Sequence, residues 1–136
     1  MPERIANIDH VAVTTGDLSC FIAFYERVLG AHVEYEHELD GQRSVVQLRV
    51  GQVMLNVHRA GHSHPLVART PQPGAVDICF RWAAPIADAV ALLGSAGVTI
   101  IEGPVPRTST VGITGQSVYF RDPDGNLLEL LSTVAD

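Results

Sequence analysis

The first half of the chain switches from the hydrophobic period of a strand to that of a helix and back again. The segment IDHVAVTT alternates and is rich in β-branched residues, so it predicts a strand over 8–15. In GDLSCFIAFYERVLG the apolar residues recur at the helical period, which predicts a helix that Asp17 or Ser19 caps and Gly30 ends. Three further strands are predicted from HVEYEHE, SVVQLRV and VMLNVHR, with turns at Asp40-Gly41 and Gly51-Gln52.

The same order of elements returns in the second half of the chain. AVDICFRW predicts a strand, APIADAVALLGSAG a helix that ends at Gly97, and VTIIEG another strand. After a predicted loop at 103–116, the strands QSVYFR and NLLELLS flank a turn whose residues, Asp122, Pro123, Asp124 and Gly125, suit a type I turn. The repeated order predicts two βαβββ modules and the α+β class.

The repeat divides residues 1–136 into one domain with two modules, 5–59 and 74–133, joined by the Pro- and Gly-rich linker 60–73. When the two modules are aligned at the ends of their helices, His10 corresponds to Asp77 on the first strand of each module. When they are aligned on their last strands, Asn56 corresponds to Glu129. These four polar residues therefore occupy matching positions in otherwise apolar strands.

Glu129 interrupts the apolar run LLELL. A buried ionised carboxylate is unfavourable unless it is paired with a cation or binds a metal. Glu129 is therefore a candidate metal ligand, and the alternatives are a solvent-facing position or an ion pair with a nearby arginine.

Composition and charge exclude several classes of function. The chain is 46% hydrophobic and has a net charge of -6, without a cluster of Lys or Arg, so we expect no nucleic-acid partner. No apolar run approaches the roughly 18 residues that span a bilayer, and the N-terminal residues do not suit a signal peptide. Cys20 and Cys79 lie in apolar patterns, which predicts buried free thiols in a cytoplasmic protein.

Three segments resemble the vicinal oxygen chelate superfamily, the group of glyoxalase I, fosfomycin-resistance proteins, bleomycin-binding proteins and extradiol dioxygenases. They are IDHVAV, FYERVLG and, near the C-terminus, FRDPDGNLLEL. The resemblance covers nearly the whole chain. It implies that the two modules form an open barrel of curved, mixed β-sheet around a central cleft, with the first and last strands of each module side by side. It also implies a homodimer in which modules from two chains build each site.

The resemblance implies a divalent metal held by His10, Asp77 and Glu129. Asp77 stands where many members have a second histidine, and Asn56 stands where glyoxalase I enzymes supply a carboxylate. A set rich in oxygen ligands favours Mn²⁺ or Mg²⁺, with Fe²⁺, Ni²⁺ or Zn²⁺ as alternatives. The alternative to a ligand role for Asp77 is that it pairs with Arg81 or His10.

The substrate-binding and catalytic residues are predicted beside this metal. Asn56 is predicted to hydrogen-bond the substrate, Tyr119 to contact it, and Arg107 to bind an anionic group on it. His58 follows Asn56 by two residues, so it faces the same way but lies about 6.6 Å along the strand. We therefore interpret His58 as an acid–base or substrate-contacting residue, which with Glu129 makes the predicted catalytic pair.

Three kinds of function are compatible with these residues. The first is a metal-dependent enzyme acting on a small oxygen-bearing substrate, with isomerase or lyase, dioxygenase and transferase chemistry all open. The second is a protein that sequesters a cationic small molecule, as bleomycin-binding members do, with Trp82 stacking on an aromatic ligand. The third is an interaction role for a decayed enzyme. His62 and His64 are interpreted as solvated surface residues.

Overall fold

The computed structural model describes residues 2–39, 41–62 and 64–136, and the chain divides into two compact units. Unit 1 is Met1–Gln72 and unit 2 is Pro73–Asp136. Each unit contains one helix and one open sheet of four strands. The prediction of two βαβββ modules in the α+β class is confirmed.

Unit 1 is a mixed sheet in the order β1-β4-β3-β2, with one helix packed against it. Its first and last strands pair in parallel, and the other two pairs are antiparallel. The elements are β1 Val11–Thr15, α1 Leu18–Leu29, β2 His32–Leu39, β3 Gln42–Val50 and β4 Val53–Arg59.

The first helix begins and ends where the sequence predicts. Asp17 is the N-cap, and its side chain accepts a hydrogen bond of 3.0 Å from the Cys20 backbone N–H. Gly30 adopts the left-handed conformation at φ 65° and ends the helix. Phe21 and Tyr25 stack at 4.1 Å between ring centroids and are fully buried, so this helix face forms the core of unit 1.

Unit 2 repeats the arrangement with the order β5-β8-β7-β6. Again the first and last strands pair in parallel. The elements are β5 Asp77–Trp82, α2 Ile86–Ser95, β6 Glu102–Thr108, β7 Thr114–Arg121 and β8 Leu127–Ser132.

The predicted strand VTIIEG is wrong. The strand in this region is β6, which begins at Glu102 and extends to Thr108, into the first part of the segment predicted as a loop. Pro104 and Pro106 lie in it, and prolines argue against a strand because they donate no ladder hydrogen bond. Both are accommodated because β6 is an edge strand that pairs with β7 alone.

The turn between the last two strands is held by its own side chains. The Gly125 N–H donates to the Asp122 carbonyl at 3.0 Å, which closes the predicted β-turn. The buried Asp122 carboxylate accepts hydrogen bonds from the Asp124 N–H and from both the backbone and side chain of Asn126. Asn126 in turn accepts from the Val76 N–H at 2.9 Å, so the turn is tied to the start of unit 2. The predicted turn at Asp40-Gly41 includes Asp40, which lies outside the described residues.

Strand alternation explains the run LLELL. Leu128 and Leu130 are fully buried on the side of the sheet where α2 packs against β7 and β8. Since successive side chains point to opposite faces, Glu129 lies on the face away from the helix. Along the part of the chain that is described, no helix is long and apolar enough to cross a membrane.

Candidate functional site

The Glu129 carboxylate lies in a row of polar side chains that crosses three strands of unit 2. Cys79 on β5 and Tyr119 on β7 are its register partners, so all three share the face away from α2. The Ser117 hydroxyl donates a hydrogen bond of 2.6 Å to Glu129 Oε2. Glu129 is half-buried and forms no salt bridge with any residue in the described ranges.

Tyr119 and Arg107 are brought together beside this carboxylate. Arg107 Nε donates to the Tyr119 hydroxyl oxygen at 2.8 Å, and the guanidinium carbon lies 5.5 Å from the centroid of the tyrosine ring. Burial and the neighbouring Glu129 raise the pKa of Tyr119, and Arg107 opposes them. The phenol therefore stays protonated at neutral pH, and its O–H is available for donation towards Glu129.

Cys79 is exposed, and so is Cys20, which corrects the prediction of two buried thiols. The pattern misled because Ile78 and Phe80, which flank Cys79, alternate with it and are the less exposed residues. Partial burial, together with the charge of Glu129 and a hydrogen bond to it, raises the pKa of the Cys79 thiol to about 11. The thiol is therefore neutral beside the carboxylate.

Asp77 lies on the same face of the sheet as Glu129 but not at the same level. It pairs in register with Leu127, which precedes Glu129 by two residues on β8 and lies on the same face of the sheet. Asp77 is exposed and forms no salt bridge to Arg81 within the described ranges. Trp82, in contrast, alternates with Arg81 and lies on the other face, so it is not a neighbour of Glu129 in the row.

In unit 1, Asn56 occupies the position equivalent to Glu129. Ala12 and Gln47 are its register partners, as Cys79 and Tyr119 are for Glu129. Asn56 Oδ1 is buried and has no hydrogen-bond partner among the described residues. A buried acceptor without a donor is unfavourable, so Asn56 is suited to receive an N–H or O–H group from a ligand.

His10 directly precedes β1, and 44% of its side chain is exposed. Its Nδ1 lies 2.8 Å from Asp9 Oδ2. Metal-binding histidines commonly use one ring nitrogen for such a carboxylate and the other for the ion. His10 therefore suits a ligand role through Nε2.

His58 contacts His62, which in turn contacts His64, and the sequence assigned both of these loop histidines to solvated surface. His58 Nδ1 lies 3.0 Å from His62 Nε2, and His62 Nδ1 accepts a hydrogen bond of 3.0 Å from the His64 backbone N–H. Burial lowers the pKa of both His58 and His62, and the other histidines lower them further. Both rings are therefore held in the neutral form at neutral pH.

No three His, Cys, Asp or Glu side chains come close enough together to hold a metal ion in the part of the chain that is described. The structure brings Glu129 together with Tyr119 and Arg107 in unit 2. Asn56 and His58 share a strand face in unit 1. Two of the proposed ligands suit a divalent cation. The Glu129 carboxylate has no cationic side chain paired with it in the described ranges, and the His10 ring is oriented by its contact with Asp9.

Sequence reasoning missed Ser117, Cys79 and His62. Ser117 and Tyr119 lie two positions apart on a strand, so their shared face could have been recognised. Cys79 follows Asp77 at the same spacing. His62 follows His58 across a turn, and hydrophobic period and strand alternation do not predict a contact of this kind.

The sequence profile of the Glyoxalase/Bleomycin resistance protein/Dioxygenase superfamily matches residues 7–130. Virulence protein STM3117 of Salmonella typhimurium is 40% identical over 128 residues, which cover 93% of this chain and 83% of that protein. Its crystal structure has a TM-score of 0.83 to this chain at 38% identity, covering 96% of this chain and 98% of that one. Glyoxalase domain-containing protein RDO1 of Mycosarcoma maydis is 38% identical over 128 residues, 94% of this chain and 69% of that protein.

More distant structures share the fold alone. The antibiotic-binding protein TnmS3 from Streptomyces has a TM-score of 0.72 at 20% identity, covering 96% of this chain and 98% of that one. The fosfomycin resistance protein FosX from Listeria monocytogenes has a TM-score of 0.67 at 21% identity, covering 93% of this chain and 91% of that one. A mutant of that FosX was crystallised in complex with Mn(II). The profile match over most of the chain and the similarity to STM3117 establish that this chain belongs to the Glyoxalase/Bleomycin resistance protein/Dioxygenase superfamily.

Proposed function

We propose that the chain is a divalent-metal-dependent enzyme that acts on a small oxygen-bearing substrate chelated by the metal. The observation that carries this proposal is the Glu129 carboxylate. It is half-buried, it accepts from the neutral Ser117 hydroxyl, and it has no cationic side chain in a salt bridge within the described ranges. A carboxylate in that position is stabilised most by a cation that binds from outside the protein.

The proposed ligands are His10, Asp77 and Glu129. This donor set suits Mn²⁺ or Mg²⁺, with Fe²⁺, Ni²⁺ and Zn²⁺ as further candidates. A bound ion would supply Lewis-acid stabilisation of an enolate or oxyanion on the substrate. FosX complexed with Mn(II) is a precedent within the fold. We also propose a homodimer, which the resemblance to the vicinal oxygen chelate superfamily implies.

The remaining residues of the site are proposed to bind and orient the substrate. Arg107 uses Nε for Tyr119 and Nη1 for the Pro106 carbonyl, which leaves Nη2 for an anionic group. The Tyr119 hydroxyl accepts from Arg107 and can therefore donate its proton to a substrate oxygen or to Glu129. Asn56 offers its buried Oδ1 to a donor on the substrate.

Metal content tests the proposal. The purified protein, the Glu129→Gln variant and the Glu38→Gln control are each incubated with Mn²⁺, Mg²⁺, Fe²⁺, Ni²⁺ or Zn²⁺, desalted and measured by mass spectrometry. Glutamine keeps the shape of Glu129 and an acceptor for Ser117 but removes the charge, whereas Glu38 is an exposed residue of β2. We expect near-stoichiometric metal in the wild type and the control, and at least about a tenfold loss in Glu129→Gln. Metal-free protein after incubation with each of the five ions would overturn the proposal.

A second candidate is a protein that binds a cationic small molecule without chemistry. The same uncompensated Glu129 carboxylate favours it, because an organic cation would neutralise the charge as a metal does. TnmS3, which shares the fold, is described as antibiotic-binding. Calorimetric titration of metal-free protein with metal-free bleomycin tests it. Binding that Glu129→Gln abolishes and Glu38→Gln preserves would favour this candidate over the enzyme.

A further inference from the structure

The hydrogen bonds of the three histidines His58, His62 and His64 determine where each ring proton resides. A backbone N–H always donates, so the His64 N–H donates to His62 Nδ1, and that nitrogen carries no proton. A neutral His62 then carries its proton on Nε2. Because His62 Nε2 lies 3.0 Å from His58 Nδ1, the Nε2–H of His62 is the donor and His58 Nδ1 is the acceptor.

The same reasoning extends to His58 and to the loop. With Nδ1 accepting from His62, a neutral His58 carries its proton on Nε2. The Leu66 backbone N–H donates to His64 Nδ1 at 3.1 Å, which places the proton of a neutral His64 on Nε2 as well. Hydrogen-bond donation therefore runs in one direction, from the His64 backbone N–H to the His62 ring and from the His62 ring to His58.

We propose that His62 is a positioning residue that holds His58 as the neutral Nε2–H tautomer, so that His58 presents a hydrogen-bond donor to the substrate. The role of His58 towards the substrate rests on the proposed function. The assignment of its tautomer does not depend on that function.

This arrangement has a consequence for the metal. A histidine binds a metal through a ring nitrogen lone pair. In His58 the Nδ1 lone pair accepts from His62 and Nε2 carries the proton, so neither nitrogen is available. In this arrangement His58 therefore offers no lone pair to a metal ion, and its Nε2–H is suited to a substrate oxygen.

Asn56 and His58 together define the complementary ligand. They lie on one face of β4, about 6.6 Å apart along the strand. Asn56 offers a buried acceptor that lacks a partner within the described ranges, and His58 offers a donor. A substrate that carries an O–H or N–H group and a separate acceptor oxygen satisfies both residues.

Nitrogen NMR of the metal-free, full-length protein with labelled histidines tests the assignment. A scalar coupling across the hydrogen bond, between His62 Nε2 and His58 Nδ1, is expected, with the proton attached to His62. The experiment is run above the ordinary histidine pKa of about 6.5, where neutral rings dominate. A proton found on His58 Nδ1, or no coupling between the two rings, would overturn the proposal.

Two variants separate positioning from a general structural effect. His62→Leu removes both ring nitrogens at similar size, whereas His62→Gln retains an N–H donor for His58 and an acceptor for the His64 N–H. Burial, the main cause of the lowered pKa of His58, is retained in both variants. We expect the pKa of His58 to be higher in His62→Leu than in His62→Gln, because only glutamine keeps a donor that stabilises the neutral His58 ring. Equal pKa values in the wild type and both variants would contradict the proposal. The amide spectrum of β1 and β3 reports whether each variant is folded.

These measurements also separate the proposal from the proposed function. The Glu129→Gln substitution is expected to abolish metal binding and to leave the scalar coupling between His62 and His58 unchanged. A protein that binds metal but lacks the coupling would retain the proposed function and lose the positioning role of His62.

Discussion

Where unit 1 carries Asn56 beside Ala12 and Gln47, unit 2 carries Glu129 beside Cys79 and Tyr119. The strand order and the parallel pairing of the first and last strands are the same in both units. The buried sides of the sheets are also alike, since both are apolar. Asn56 and Glu129 lie on the opposite face, which can vary because its residues do not pack against the helix.

The equivalent polar side chains on these two faces also differ in their hydrogen-bond donors. Glu129 accepts from Ser117, whereas the buried oxygen of Asn56 has no donor within the described ranges. All six histidines of the chain precede residue 73, so unit 2 contains none. Unit 1 therefore contains every imidazole side chain of the chain, and unit 2 contains the carboxylate proposed to bind metal.

The largest expected effect tests whether the two cores are equivalent. Leu55 in unit 1 and Leu128 in unit 2 occupy matching positions and are almost completely buried. Replacing either with alanine leaves a cavity, so each substitution is expected to lower the free energy of unfolding by about 2–5 kcal/mol. Urea unfolding measures the loss.

Hydrogen exchange shows in which unit each loss occurs. Leu127→Ala, on the opposite face of β8, is the control and is expected to cost less because Leu127 is only partly buried. A large loss from one leucine and almost none from the other would show that the two cores are not equivalent.

A smaller effect is expected from introducing the unit 2 carboxylate into unit 1. Asn56→Asp places a charge where no donor corresponding to Ser117 is described. In metal-free buffer at neutral pH, this variant is expected to lose about 1–3 kcal/mol of unfolding free energy. The loss is measured by urea unfolding.

The control is Asn56→Asp at about pH 3, where the carboxyl group is largely protonated and the loss is expected to shrink. If the variant is as stable as the wild type at neutral pH, unit 1 has a source of donors equivalent to that around Glu129.

The smallest effect concerns pH. Folding lowers the pKa of His58 and His62, mainly through burial, so the unfolded chain binds more protons than the folded chain below about pH 6.5. The contribution of the neutral histidines is fully present above that pH and is lost as the pH falls through their lowered pKa values. We expect protection of β4 amides to weaken between about pH 7 and pH 5.

Hydrogen exchange corrected for intrinsic rates measures this change, and β8 is the internal reference because unit 2 has no histidine. His58→Leu is expected to reduce the pH dependence in β4. A decline of equal size in both strands of the wild type would assign the effect to other groups.

Local pattern was sufficient for most of the elements but not for β6. The helix from Leu18 to Leu29 has a clear period, an Asp17 cap and a Gly30 end, and all three were predictable. The strand containing Pro104 and Pro106 was missed because its prolines are tolerated only at a sheet edge. Whether a strand is at an edge is decided by the order of strands, which local pattern does not contain.

The sequence by itself determined the two βαβββ units and the side of the sheet on which Glu129 lies, because hydrophobic period follows directly from backbone geometry. Only the tertiary structure decided which groups surround that carboxylate. Ser117 reaches Glu129 through the register of β7 and β8, and His62 reaches His58 through the shape of a turn. Contacts of this kind depend on how separate segments are placed in space, and a linear pattern of apolar and polar residues does not specify that placement.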